Sequence, residues 1–215
     1  MTKRLTFTVT IVILLLAGSA STAQIRRPGG PMRIIMLVDS SSAISPMITQ
    51  FRAALHGFLD QLPDHGDPEI GVVTTGGHLR VRVEPTTDRA KLHGMADGFA
   101  ADGGGNVFLD TLLEADKRFF KSVPDRRPIL VILTTDLVPS LGDQRIEQYN
   151  KFMNEFISKG GRAHAIVIGG VNSGYTTLIS ENLVKNSGGY YESVALANPI
   201  PRIMKTVAEY VAVDQ

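Results

Sequence analysis

Apolar residues along this chain follow two periodicities that alternate with each other. Near-continuous apolar runs occur at Ile34 to Val38, Glu69 to Thr75 (EIGVVTT), Pro128 to Thr135 (PILVILTT) and Arg162 to Gly169 (RAHAIVIG). Runs of this length and composition predict strands buried on both faces, as in parallel sheets covered by helices. Between them, apolar residues recur every three or four positions. Met47, Ile48, Phe51, Leu55, Phe58, Leu59 and Leu62 mark one helix face, and Ile146, Tyr149, Phe152, Met153, Phe156 and Ile157 mark another. Leu178, Ile179 and Leu183, then Ile203, Met204, Val207 and Val211, continue the pattern to Val213. Strand and helix alternate almost throughout, which predicts an α/β fold: a Rossmann-like, doubly wound, largely parallel sheet with helices on both faces.

Punctuation residues set the expected boundaries. Ser45-Pro46 has the form of a helix start, with serine as cap and proline in the first turn, and Pro63 ends that helix. Leu79 to Glu84 (LRVRVE) alternates apolar and charged residues, so it is expected at a sheet edge. Gly76-Gly77 before it reads as a tight hairpin turn, making this edge strand antiparallel, with Arg80 and Arg82 on a solvated face. Asp88 is placed to cap a short helix reaching Gly98, Val107 to Lys121 is strongly helical, and Gly160-Gly161 stops the helix from Arg145. Ser187-Gly188-Gly189 turns the chain into a short strand, Tyr190 to Val194.

The N-terminus follows a different rule. Lys3 and Arg4 precede an apolar stretch, Val9 to Ala17, and Ser21-Thr22-Ala23 supplies small residues before Gln24. That is the pattern of a secretory signal peptide, 1–23, and the apolar part falls short of the roughly 20 residues of a spanning helix. Residues 24–31 (QIRRPGGP) read as a flexible tether and 32–215 as one domain. The expected location is therefore the periplasm or the exterior, with membrane tethering if the segment is not cleaved. The 215-residue chain has no cysteine, which rules out disulfides and a lipid-modified cysteine. Its formal charge is +1, and loss of Lys3 and Arg4 leaves −1. A near-neutral chain without a basic stripe argues against nucleic acid, and no basic amphipathic helix points to membrane binding by the mature domain.

Candidate chemistry gathers where the apolar strands stop. Met32 to Ser45 (MRIIMLVDSSSAIS) delivers Asp39 and the hydroxyls of Ser40, Ser41 and Ser42 to one strand end, where ligands bind in open α/β sheets. Oxygen-rich sets of this kind suit hard divalent cations. PILVILTT releases Thr134, Thr135 and Asp136 in the same way; the alternative for Asp136 is a turn or a helix cap. Asp102-Gly103-Gly104-Gly105-Asn106 opens the next helix but lacks the spacing of a phosphate or dinucleotide loop, and by itself it reads as a flexible loop. His164 is read as a hydrogen-bonded strand residue, and His56, His65, His78 and His93 fit no metal-ligand spacing.

A strand ending in Asp-x-Ser, a glycine-rich loop opening a helix, and a later strand ending in Thr-Asp together resemble the von Willebrand factor type A domain over nearly all of Met32 to Val213. The closing segment NLVKNSGGYYESV is also similar to that of bacterial secreted members. The resemblance implies a metal-ion-dependent adhesion site at Asp39, Ser41, Asn106 and Asp136, with Asn106 standing where the family has threonine. Ala43 replaces the family's second serine and Leu137 its glycine after the last aspartate. The resemblance therefore implies Mg2+, or Mn2+ or Ca2+, bound weakly, completed by a partner, or absent, with Asn106 then bonded to Asp39 or Ser41 in place of an ion.

The implied function is a non-enzymatic, extracytoplasmic protein-binding module. Its partner, through an acidic side chain, would meet a loop face formed by Ser40, Ser42, Gly104, Gly105 and Leu137 around the site. Two other readings stand beside it. One is a metal-assisted phosphohydrolase with Asp39 as nucleophile, although Ser41 occupies the place of the usual second acid. The other is a metal-independent structural or assembly protein.

Overall fold

The computed structural model describes residues 31–63, 68–137, 145–169 and 174–213. The expected signal peptide, all but the last residue of the tether, and His65 lie outside them. The described residues form strands β1 (Met32–Val38), β2 (Glu69–Thr74), β3 (Arg80–Thr86), β4 (Arg127–Asp136), β5 (Arg162–Gly169) and β6 (Tyr191–Val194). Helices α1 (Ile48–Gln61), α2 (Arg89–Asp97), α3 (Phe108–Ala115), α4 (Ile146–Ser158), α5 (Tyr175–Ser187) and α6 (Ile200–Val213) alternate with them.

Strand order is β3-β2-β1-β4-β5-β6, with every pairing parallel except β2 with β3. The chain winds outward from β1 through β2 to β3, then crosses to β4 and winds the other way. The change of direction between β1 and β4 opens a crevice at their carboxyl ends. Asp39 N–H donates to Leu133 O at 2.8 Å and Thr75 N–H to Val38 O at 3.1 Å, so β1 and β2 end side by side while β4 runs on past them to Asp136.

Period-two alternation divides the core. Ile34, Met36 and Val38 pack with Phe51, Leu55, Phe58, Ile203 and Val207 of α1 and α6. Ile35 and Leu37 pack on the other face with Phe108, Leu112, Tyr149 and Phe152 of α3 and α4. Two covered faces explain why β1 and β4 needed continuous apolar runs: both are buried over their whole length apart from half-buried Arg33.

Three local expectations differ from the structure. Ser45 does not cap α1: residues Ser42–Met47 first wind as a 3-10 helix containing Pro46, and α1 begins at Ile48. The cause lies upstream, because Ser42 N–H and Ser42 Oγ both bond Gly104 O at 3.1 Å and tie the chain to the glycine loop before it can turn. Gly76-Gly77 does not close a two-residue hairpin either. Residues 75–79 connect β2 to β3, and Gly76 instead forms a bridge with Asn106. Finally, Ile146 and Leu178 point outward, at 52% and 55% exposure. In α5 the buried face is carried by Thr176, Thr177, Ile179, Ser180, Leu183 and Val184, and the Thr177 hydroxyl turns to Asp136 at the end of β4. Asp88 does cap α2, accepting from Lys91 N–H at 3.0 Å.

Candidate functional site

Asp39 sits at the crevice, fully buried, with both carboxylate oxygens engaged. Oδ1 accepts from Ser41 N–H at 2.7 Å. Oδ2 accepts from Thr135 N–H at 3.1 Å, Thr135 Oγ1 at 2.5 Å and Asn106 Nδ2 at 3.2 Å. Asn106 Nδ2 also donates to Thr134 Oγ1 at 2.9 Å and Thr135 O at 3.0 Å. One amide therefore joins the ends of β1 and β4 to the glycine loop. A buried carboxylate needs such donors, since burying an unpaired charge costs far more than any one hydrogen bond returns.

The glycine loop is shaped to reach that place. Asp102 N–H donates to Ser40 O at 2.7 Å, Gly77 N–H to Gly105 O at 2.8 Å and Val107 N–H to Thr75 O at 3.0 Å. Gly104 has φ +70°, and a Cβ there would stand 3.1 Å from Gly77 Cα. At Gly76 a Cβ would meet Ser40 O at 2.6 Å. Both positions need glycine because two backbones approach closely, and Gly104 also needs the left-handed region.

Ser40 faces inward rather than onto the exposed rim. It is fully buried, its Oγ donates to Asp102 Oδ2 at 2.7 Å and accepts from Gly76 N–H at 3.0 Å. Asp102 in turn draws in Arg80 at 3.1 Å and Arg82 at 2.5 Å, its own side chain only 7% exposed. Arg80 is exposed, as expected of a solvated face, and Arg82 is half-buried; through Asp102 both brace the edge strand against the rim. Burial pushes the Asp102 carboxyl up, but the Ser40 hydroxyl and the Arg82 and Arg80 guanidiniums outweigh it and hold the group below the usual carboxylate range.

Asp136 turns to a different neighbour. Its Oδ2 accepts from Thr177 N–H at 3.0 Å and Thr177 Oγ1 at 2.5 Å. Thr177 is the third residue of α5, so Asp136 satisfies a free helix N-terminal donor from the adjacent strand, close to the cap role weighed from sequence. Gly174, at the cap position, lies so close that a Cβ would stand 2.4 Å from Asp136 Oδ1. Ser42, Gly104, Gly105 and Leu137 are exposed around the crevice, Leu137 at 45%.

Three buried oxygens near Asp39 have no hydrogen-bond partner among the described residues: Ser41 Oγ, Asn106 Oδ1 and Thr75 Oγ1. Ser41 and Asn106 flank the two ends of the Asp39 carboxylate, and Thr75 accepts from the residue after Asn106. Buried unsatisfied oxygens of this kind fit a hard cation or water. Thr75 was not singled out from sequence; the signal was its place at the end of an apolar strand, the same rule that found Asp39 and Asp136. Thr135, noted only as a polar strand end, proves to be the main anchor of Asp39. Among the described residues no three or more His, Asp or Glu side chains are grouped to hold a metal, so hydroxyl and amide oxygens carry this fit. Nor is any described helix long and apolar enough to cross a membrane.

No family model matches the chain, and no curated protein matches it in sequence. Solved structures do. A von Willebrand factor type A protein from Catenulispora acidiphila superposes with TM-score 0.66 at 14% identity, covering 86% of this chain and 43% of that one. Proximal thread matrix protein 1 from the mussel byssus, with a zinc-occupied MIDAS motif, gives 0.65 at 17% identity, covering 85% and 48%. BatB from Bacteroides thetaiotaomicron, a conserved hypothetical protein, gives 0.63 at 12% identity, covering 85% and 98%. The chain thus spans less than half the length of the Catenulispora and mussel chains. At these identities the likeness carries the fold alone.

Proposed function

From the von Willebrand factor type A fold of this chain, we propose that it is an exported, non-enzymatic interaction module whose loop rim at the β1/β4 crevice takes a protein partner. The observation that carries the reading is that Ser41 and Asn106, whose N–H groups bond the two oxygens of the Asp39 carboxylate, each hold a buried, partnerless side-chain oxygen, Ser41 Oγ and Asn106 Oδ1. A hard cation, Mg2+ foremost, would be held by Ser41 and Asn106, with Asp39 and Asp136 contributing negative charge and Thr75 a further oxygen. When bound, the ion supplies an attraction for an acidic side chain of the partner. Ala43 removes one direct oxygen, so the affinity is low and water or the partner makes up the shell. Ser42, Gly104, Gly105 and Leu137 form the surrounding contact surface.

A specific contact favours a second, metal-free version of the same rim. Asn106 Nδ2 already places the positive end of its amide on Asp39 Oδ2, and a cation would need that amide turned over. Both versions argue against Asp39 as a phosphohydrolase nucleophile, because each of its oxygens accepts hydrogen bonds and the side chain is fully buried.

Capture of extracytoplasmic proteins on immobilised chain, with Mg2+ or with EDTA, tests the proposal. Gly105→Glu, at a position with open space around its Cβ, and Leu137→Glu should each reduce capture at least tenfold, while Lys151→Glu on α4 should not. Equal capture by all three variants removes the rim from the reading. Dependence on Mg2+ selects the cation-bridged version, and its absence selects the metal-free one.

A further inference from the structure

The face where α1 meets α2 carries a second cluster, remote in sequence from the rim residues. Each helix presents a histidine and, four residues on, an aspartate: His56 and Asp60 on α1, His93 and Asp97 on α2. A four-residue spacing places both side chains on one helix face. The imidazoles lie side by side, 15° from parallel with centroids 5.3 Å apart, and their Nδ1 atoms are 3.1 Å apart. The outer nitrogens point at carboxylates of the opposite helix: His56 Nε2 to Asp97 Oδ1 at 2.8 Å, and His93 Nε2 to Asp60 Oδ1 at 3.7 Å. The first contact is a hydrogen bond by which α2 orients His56; the second is a longer electrostatic one that places a carboxylate of α1 beside His93.

Chemistry follows from the carboxylates. An ionised carboxylate only accepts, so His56 Nε2 bears the hydrogen and a neutral His56 offers a lone pair at Nδ1. Asp60, at 3.7 Å from His93 Nε2, is beyond hydrogen-bond distance and adds only a negative charge beside that nitrogen. With the His93 hydrogen at Nδ1 the 3.1 Å contact is an Nδ1–H···Nδ1 hydrogen bond; with it at Nε2, two lone pairs face each other and call for a cation between them. Carboxylates behind the outer nitrogens are the arrangement that orients metal-bound histidines. Zinc–nitrogen bonds of about 2.0–2.1 Å place two ligands of a tetrahedral ion about 3.3 Å apart, so the Nδ1 atoms need to separate by a few tenths of an ångström and the rings, now nearly head-on, need to tilt toward the ion. The rings are 31% and 34% exposed, free to make that adjustment and open to an entering ion.

We propose that His56 and His93 form a bidentate site for a borderline transition-metal ion, Zn2+ in the first instance, bridging α1 and α2 through their Nδ1 atoms. Binding requires that His93 carry its hydrogen at Nε2, the side on which the Asp60 carboxylate lies. Asp97 is a positioning residue that holds the His56 tautomer, and Asp60 adds its charge beside His93 Nε2. The remaining coordination positions face solvent and are filled by water or by a group from outside the chain. Nitrogen ligands distinguish this site from the oxygen-lined rim: Zn2+, Ni2+ and Cu2+ suit it, and Mg2+ does not.

Calorimetric titration of the purified chain, free of any histidine tag, with zinc chloride in a non-coordinating buffer tests the site. One equivalent of zinc is expected at the pair, with binding at least tenfold weaker in His56→Ala and in His93→Ala. Asp97→Asn should weaken it about 10–100-fold while leaving the stoichiometry intact. His78→Ala should leave the affinity unchanged. Cobalt(II) as the probe should give a visible absorption band that His56→Gln, with its fold checked by circular dichroism, abolishes. Zinc bound equally well by both histidine variants, or no binding by the native chain at millimolar zinc, overturns the proposal.

Discussion

Asn106 donates its side-chain amide to the carboxylate of Asp39 at 3.2 Å, joining the glycine loop to the end of the first strand. The same nitrogen reaches Thr134 Oγ1 and Thr135 O, so one residue holds three separate chain segments around a buried charge.

Asn106→Leu should therefore lower stability by about 1–3 kcal/mol, the cost of leaving a buried charged acceptor short of a donor. Urea unfolding followed by circular dichroism measures the change. Asn106→Asp is the more telling variant. It sets a second carboxylate against Asp39, and like charges at that range need a cation or a proton between them. Its unfolding midpoint should fall further than that of Asn106→Leu in EDTA and rise again with millimolar Mg2+; a midpoint indifferent to Mg2+ would show that the rim does not take the ion.

Asp136 holds the start of α5 through Thr177 N–H and Oγ1. Asp136→Ala removes that cap and should cost about 0.5–2 kcal/mol. Amide hydrogen exchange should accelerate at residues 175–177 well before it does in the middle of the helix. Uniform acceleration along α5 would show that the carboxylate does not act as a local cap.

Asp102 links the pH dependence of stability to the rim. Its folded-state carboxyl is held below the ordinary value, so in the acid range the unfolded chain binds the extra proton. The stabilisation is complete above the unfolded value and disappears as pH falls through the folded one. Asp102→Asn should flatten the acid limb of the stability curve below about pH 4, where an ordinary aspartate titrates. An unchanged acid limb would contradict the role given to Arg80 and Arg82.

His164 acts over a different window. It is fully buried in β5, its Nδ1 accepts from Tyr190 N–H at 3.1 Å, and burial, followed by the charge of Arg162, pushes its pKa down to about 3. Unfolded histidine takes a proton below about pH 6.5. Between those values the unfolded state binds more protons, so stability falls as pH drops from 6.5 toward 3, by roughly 5 kcal/mol at most. His164→Asn keeps an acceptor for Tyr190 and removes the titration. Its stability should change less between pH 7 and pH 4 than that of the native chain, whatever it loses at pH 7.

The α/β class, the strand and helix segments, the antiparallel edge and the delivery of Asp39 and Asp136 to the strand ends were determined by the sequence alone, because periodicity and apolar run length are local properties of the chain. Local signals failed where a distant partner competed. Ser45 is a plausible cap until Ser42 is tied to Gly104, and Gly76-Gly77 is a plausible turn until Gly76 bridges Asn106. Only the tertiary structure decided which acidic group met which donor: Asp39 met Thr135, Asp136 met Thr177, and Asp102 met Ser40, Arg80 and Arg82. His56 and His93, 37 positions apart, show the limit most clearly. Their matching aspartates at four-residue spacing are visible in the sequence, but the crossing of two helices is what brings their nitrogens within reach of one ion.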